Sequence, residues 1–181
     1  MDALEKEKIY TKEDLDALPE GTRAELIDGA LFMFAAPSRI HQEISMQLSS
    51  HINSYIKNSN GKCKVYPAPF DVNLFRDDSV IVQPDISVIC DPDKLTDKGA
   101  DGAPDWIIEI SSPGTAPNDY IKKLWLYEKA GVKEYWIVDP VDQKISVYIF
   151  EDSSRYGTYS FNDAIQVSIY KDLIVRIADL L

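Results

Sequence analysis

Two strand-like runs each set one carboxylate, Asp85 and Glu109, within an apolar strand, and this narrows what the chain can fold into. The runs are Gln83-Pro84-Asp85-Ile86-Ser87-Val88-Ile89-Cys90 and Asp105-Trp106-Ile107-Ile108-Glu109-Ile110-Ser111. A charge taken out of water is costly unless it meets a partner, so a fold that buries these runs must supply a counter-charge or a metal ion. Successive strand side chains alternate faces. Ile107 and Ser111 therefore share the face of Glu109, and Trp106, Ile108 and Ile110 take the other. Ser87 and Ile89 side with Asp85, opposite Ile86, Val88 and Cys90. Paired strands lie ~5 Å apart, so two carboxylates facing the same way can share one divalent ion.

Local signals place the other elements. Thr11 precedes Lys12-Glu13-Asp14-Leu15-Asp16-Ala17-Leu18, a short helix with a Thr N-cap and acids in its first turn, and Pro19 ends it. Residues 23–27 and 30–34 flank Asp28-Gly29, the strongest short hairpin signal. Ile40, Ile44, Leu48, Ile52 and Tyr55/Ile56 mark one amphipathic helix over 39–57, with Ser38 as N-cap and Asn60-Gly61 as its stop. Strands are expected at 62–67, 69–75, 80–90 and 105–111, with a turn at 76–79 and a loop over 91–104. A helix over 116–130 ends at Gly131, a strand over 134–139 ends at Pro140, and 144–150, 155–161 and 165–169 read as a closing meander. No repeat or linker interrupts the chain. The expectation is one α+β domain over residues 1–181 with a mixed, largely β centre, preceded by a charged, frayed lead at 1–10.

Composition excludes several classes. With 45% hydrophobic and 10% aromatic residues, a disordered chain is ruled out. No apolar run approaches the ~20 residues of a membrane span, and the charged N-terminus has no apolar signal core, so a cytoplasmic location is expected. Cys63 and Cys90 lack zinc-ligand spacing and read as two separate small hydrophobes rather than a disulfide. His41 and His51 cannot build a metal site alone. A net charge of −11 opposes a phosphate backbone, unless lysines such as Lys57, Lys62, Lys64, Lys122, Lys123, Lys129 and Lys133 gather on one face.

Two acids on one metal suit phosphodiester hydrolysis, in which the metal neutralises phosphate and activates water while a nearby cation steadies the developing charge. In the bare pattern that cation is a lysine two residues after the Glu. Here the position holds Ser111. Asp119, Lys123 and Tyr127 form a stripe at i, i+4 and i+8, so Lys123 reaches the acids if its helix packs over the Glu109 strand. On spacing alone, a solvated lysine paired with Asp119 is the preferred reading of Lys123. Glu25 likewise reads as an exposed hairpin acid, and His41 as a partly buried structural histidine.

The run Ala103-Pro104-Asp105-Trp106-Ile107-Ile108-Glu109-Ile110-Ser111-Ser112-Pro113-Gly114-Thr115 resembles a known signature, and so does Lys123-Leu124-Trp125-Leu126-Tyr127-Glu128-Lys129-Ala130-Gly131-Val132-Lys133-Glu134-Tyr135-Trp136-Ile137-Val138-Asp139-Pro140. Together with Gln83-Pro84-Asp85 and Glu25-Leu26-Ile27-Asp28-Gly29, they are similar to the Uma-two family of the PD-(D/E)xK nuclease superfamily. The likeness runs from Thr11 to Asp179. It implies a restriction-endonuclease-like α/β core, a central mixed sheet flanked by helices. It also implies Asp85 and Glu109 as metal ligands, Lys123 in place of the lysine missing at Ser111, and Glu25 as a further catalytic residue, a metal ligand or base. His41 falls at a family histidine of unassigned role.

The resulting expectation is a magnesium-dependent endonuclease, with manganese as an alternative metal, acting on DNA as a homodimer. Two rivals stand beside it: a catalytically silent binding or regulatory module on a nuclease scaffold, and a metallohydrolase of a smaller phosphodiester. The acidic charge motivates both, and Ser111 the first.

Overall fold

The Thr11 hydroxyl accepts from the Asp14 amide while the Asp14 carboxylate accepts from the Thr11 amide, a capping box that starts α1 (Lys12–Asp16) where the sequence predicts it. The structure, a computed structural model, describes residues 8–112, 117–151 and 156–181, without the side chains of 117–119. The first seven residues of the charged lead, residues 113–116 and the Asp119 side chain lie outside it.

β1 (Ala24–Ile27) and β2 (Ala30–Met33) pair through Asp28 (φ 50°) and Gly29 (φ 82°), both in the left-handed region that a two-residue turn of this hand requires. A Cβ at Gly29 would meet Ile9 Cγ2 at 2.7 Å, so any other residue there would be strained by the positive φ and would displace Ile9. α2 (Arg39–Asn58) starts at Ser38, whose hydroxyl accepts from the His41 amide, and buries Ile44, Leu48, Ile52 and Ile56.

Then come β3 (Lys64–Pro67), β4 (Asp71–Asn73), β5 (Val80–Val82), β6 (Ile86–Ile89), β7 (Gly99–Asp101) and β8 (Trp106–Ile110). After α3 (Pro117–Ala130), stopped by Gly131 at φ 88°, follow β9 (Glu134–Asp139), β10 (Lys144–Ile149), β11 (Tyr156–Ser160), β12 (Ile165–Gln166) and β13 (Ile174–Val175). The expected strand over 80–90 is split, because Pro84 cannot donate to a ladder, and its halves join different sheets. The expected loop over 91–104 contains a 3-10 turn at Pro92–Lys94 and β7.

Among the described residues the strands form a five-stranded sheet (β2-β1-β5-β4-β7), a six-stranded sheet (β11-β10-β9-β8-β6-β3) and the pair β12-β13. The β8–β9 and β4–β7 pairs are parallel and the other pairs are antiparallel. The mixed central sheet flanked by helices is therefore as expected, with a second sheet beside it.

One face of the larger sheet, with Ile86, Val88, Trp106, Ile108, Ile110 and Trp136, packs on α2 and on the C-terminal Val167, Leu173 and Val175. The other face, with Ile89, Ile107 and Tyr135, packs on Leu126 and Tyr127 of α3 and on Ile27, Val72 and Val80 of the smaller sheet. These strands are covered on both sides, which explains their near-continuous apolar character. Fully buried Glu134 ties the C-terminal segment to the sheet, accepting from Trp136 Nε1 at 2.7 Å and from the Ser168 and Ile169 amides at 2.8 and 3.3 Å.

The cysteine expectation is corrected. Cys63 and Cys90 form a disulfide. β3 and β6 pair antiparallel with Lys64 opposite Ile89, so the next cross-strand pair is Cys63 and Cys90. Only the strand order reveals this, and the two residues are far apart in sequence.

Candidate active site

The register of β6 on β8 sets Ile86 opposite Ile108, so one position further Asp85 stands opposite Glu109. Cross-strand partners project to the same face, about 5 Å apart. The Ile110 amide donates to Asp85 Oδ2 at 2.8 Å and closes this end of the ladder. Another Pro-Asp pair, Pro104-Asp105, lies at the other end of β8. There Asp105 accepts from the Cys90 amide at 2.8 Å and pairs with Lys133 at 2.9 Å, a structural tie away from the cavity.

Glu25 comes from β1 and is buried, not an exposed hairpin acid. Its Oε1 accepts from the Gln83 amide at 3.0 Å. Lys123 comes from α3, which packs over the Glu109 face. Its Nζ lies 2.8 Å from Glu25 Oε1 and 2.9 Å from Glu109 Oε1. The helix lysine therefore points into the protein, and the four residues singled out in the sequence meet in one place.

Two more side chains complete the cluster. Tyr127, one turn beyond Lys123, donates to Glu109 Oε1 at 2.7 Å. Its signal was the i+4 stripe. His41, in the first turn of α2, stands 3.0 Å from Asp85 Oδ2 through Nε2. Its signal was no more than its place after the Pro37-Ser38 turn. Asp85, Glu109, His41, Tyr120 and Lys123 line a cavity of about 120 Å³.

Electrostatics follow from burial. Loss of water pushes the Glu109 carboxyl up to about 7; Lys123 opposes that rise, and Asp85 and Glu25 add to it. Burial works against the Lys123 ammonium, but Glu109 and Glu25 outweigh it and hold the lysine charged. Burial, reinforced by Glu109, raises Tyr127 and keeps its phenol a donor. One ammonium thus pairs with two of the three clustered carboxylates.

That donor set fits a divalent cation at Asp85 and Glu109, since a second positive charge would relieve the crowding that raises Glu109. Among the described residues no group of three or more His, Cys, Asp or Glu side chains is arranged to hold a metal. Two carboxylates suffice for magnesium, which keeps several of its waters.

Comparison with known proteins gives the same direction. The Uma2 family, described as "Putative restriction endonuclease", matches residues 12–175. The chain belongs to the Uma2 family. It is 25% identical over 133 residues, 73% of this chain and 68% of the other, to the uncharacterized protein slr1290 of Synechocystis sp.. A crystal structure of "a putative nuclease belonging to DUF820" from Anabaena variabilis superposes with a TM-score of 0.76 at 25% identity, covering 94% of this chain and 96% of that one. Family and neighbour both support nuclease function and a nuclease fold. In this Uma2 chain the cation beside the strand acids arrives on α3, and Ser111 instead continues the ladder, its amide donating to the Val138 carbonyl at 2.8 Å. No helix among the described residues is long and apolar enough to cross a membrane.

Proposed function

We propose that this Uma2 protein is a divalent-metal-dependent endonuclease that hydrolyses phosphodiester bonds, with DNA as substrate and magnesium or manganese as cofactor. The observation that carries the reading is the juxtaposition of Asp85 and Glu109 on adjacent strands with the Lys123 ammonium between Glu109 and Glu25. A cation held by the Asp85 and Glu109 carboxylates supplies Lewis acidity toward phosphate and lowers the pKa of an attacking water.

The chain's own groups do the rest. An ammonium has three N–H donors. Lys123 gives two to Glu25 and Glu109, and the third is the one offered to a substrate oxygen as negative charge builds on phosphorus. Tyr127 pins Glu109 Oε1, and His41 with the Ile110 amide pins Asp85 Oδ2, so both acids are oriented before substrate arrives. Glu25 holds the far side of the Lys123 ammonium and keeps it aimed at the cavity.

One observation favours a second reading, a silent binding module. Lys123 already neutralises part of the acid cluster without any metal. An assay on plasmid, single-stranded DNA and a small diester, with magnesium or manganese, separates the readings. The endonuclease reading expects cleavage of a nucleic acid that disappears in Glu109→Gln, Asp85→Asn and Lys123→Met. Cleavage of the small diester alone, or none at all, overturns it.

A further inference from the structure

Beside the acid cluster, the edge strand β2 and the residue that follows it present two aromatic rings, Phe32 and Phe34, toward the site. Phe32 pairs directly opposite Glu25 in the hairpin register, so its ring rises on the face that carries Glu25. Phe34 follows two residues later on the same side, and its amide donates to the Arg23 carbonyl at 3.0 Å. Both rings are solvent-accessible, at 37% and 36% exposure.

Each ring also has a cation beside it. Lys122 Nζ lies 5.1 Å from the Phe32 ring centre, and the Arg23 guanidinium lies 5.5 Å from that of Phe34. A cavity of about 420 Å³ runs past Phe32, Phe34, Lys122, Lys123 and Glu25. Phe34 and Lys123 also line the smaller cavity that holds Asp85 and Glu109, so the two spaces adjoin.

We propose that Phe32 and Phe34, with Lys122 and Arg23, form a base-stacking ledge that selects unpaired nucleotides, so that the preferred substrate is a single-stranded nucleic acid. The proposal rests on the nuclease reading for the identity of the ligand as a phosphodiester chain. Exposed rings interleaved with cations match what a single strand offers, flat base faces alternating with phosphates. In a duplex the base faces are covered by their neighbours and cannot reach a protein ring. The acids lie in a recess, with Asp85 and Glu109 side chains only 13% and 8% exposed, and a flexible strand bends into a recess more readily than a stiff duplex.

The net charge of −11 points the same way. A duplex binder draws much of its affinity from phosphate contacts and counterion release, for which this chain is poorly equipped. Stacking on the two rings adds affinity to what the local cations Lys122 and Arg23 supply. A single strand also needs one cut, so the dimer expected of an enzyme that cuts both strands is unnecessary.

The test is fluorescence anisotropy of a labelled oligothymidylate and of a duplex of equal length, in EDTA so that neither is cut. The strand is expected to bind at least about tenfold more tightly than the duplex, with Phe32→Ala and Phe34→Ala each weakening it about 5- to 100-fold and Phe34→Trp restoring it. Melting curves of the variants show that they remain folded. Equal binding of strand and duplex, or no effect of either Ala substitution in a folded protein, overturns the ledge. So does a sedimentation result in which Phe32→Ala only converts a dimer to monomer, which would make β2 a surface for a second copy. Strand binding that responds to both substitutions, without cleavage in magnesium or manganese, keeps the ledge and removes the nuclease reading. Cleavage with a duplex preference does the reverse.

Discussion

Lys123 Nζ lies 2.9 Å from Glu109 Oε1, although one residue belongs to α3 and the other to β8. The contact closes a buried network in which Glu25, Tyr127, Asp85 and His41 each hold a neighbour in place. Its energetics and its chemistry can be probed separately.

Removing the ammonium strands two buried acids. Lys123→Met is expected to cost about 3–5 kcal/mol in urea denaturation, because Glu25 and Glu109 lose their counter-charge. Adding Glu25→Gln should recover part of the loss. A Lys123→Met protein as stable as wild type would mean that the pair contributes no net stabilisation.

Metal occupancy should be visible as heat resistance. The melting temperature of wild type is expected to rise in magnesium or manganese, since a ligand that binds only the folded state stabilises it. Asp85→Asn and Glu109→Gln should each abolish the rise. If either variant keeps the full rise, the metal sits elsewhere.

On the proposed reading, His41 would act through Asp85, which its Nε2 contacts, rather than on substrate. Replacing it with Ala frees Asp85 Oδ2 from one of its two partners and should weaken manganese binding about 10- to 100-fold while the fold persists. Titration calorimetry on His41→Ala checks this, and an unchanged affinity would leave the histidine a purely structural role.

Stability should fall toward alkaline pH. Burial pushes the Glu134 carboxyl from 4.5 up to about 7, against the bonds from Trp136, Ser168 and Ile169. The folded state thus favours the protonated acid, and the contribution is full below the unfolded value and lost as pH rises through about 7. Urea denaturation between pH 5 and 8 should show a decline on the order of 3 kcal/mol from this residue. Glu134→Gln should flatten part of it, and an unchanged slope would clear Glu134.

Reduction tests the cross-strand link. The disulfide closes a loop of 27 residues in sequence separation, so reducing it should lower stability by about 3 kcal/mol. Thiol labelling of the native protein should begin only after treatment with reductant. Two thiols titrating freely in untreated protein would contradict the bond.

Much of this fold is legible locally. Asp28-Gly29 specifies its turn by backbone conformation, Ser38 caps α2 where the four-residue period begins, and strand alternation sets the faces of Asp85 and Glu109. What escapes local reading is the order in which strands and helices meet. Cys63 and Cys90 become neighbours only through the β3–β6 register, and Pro84 divides one apolar run between two sheets. Lys123 and Tyr127 are ordinary helix residues until α3 docks on β8. The resemblance to a family, not the spacing, distinguished Lys123 from a solvated lysine.

A lysine on the strand of Glu109 would be in position as soon as that strand paired. In this protein the cation rides on a separate helix, so acids and ammonium meet only after α3 has docked. An excursion that lifts α3 while leaving the sheet intact would separate charge from counter-charge and silence the site without melting the domain. The candidate site thereby depends on completion of the fold, and a chain with α3 undocked carries the acids without their ammonium.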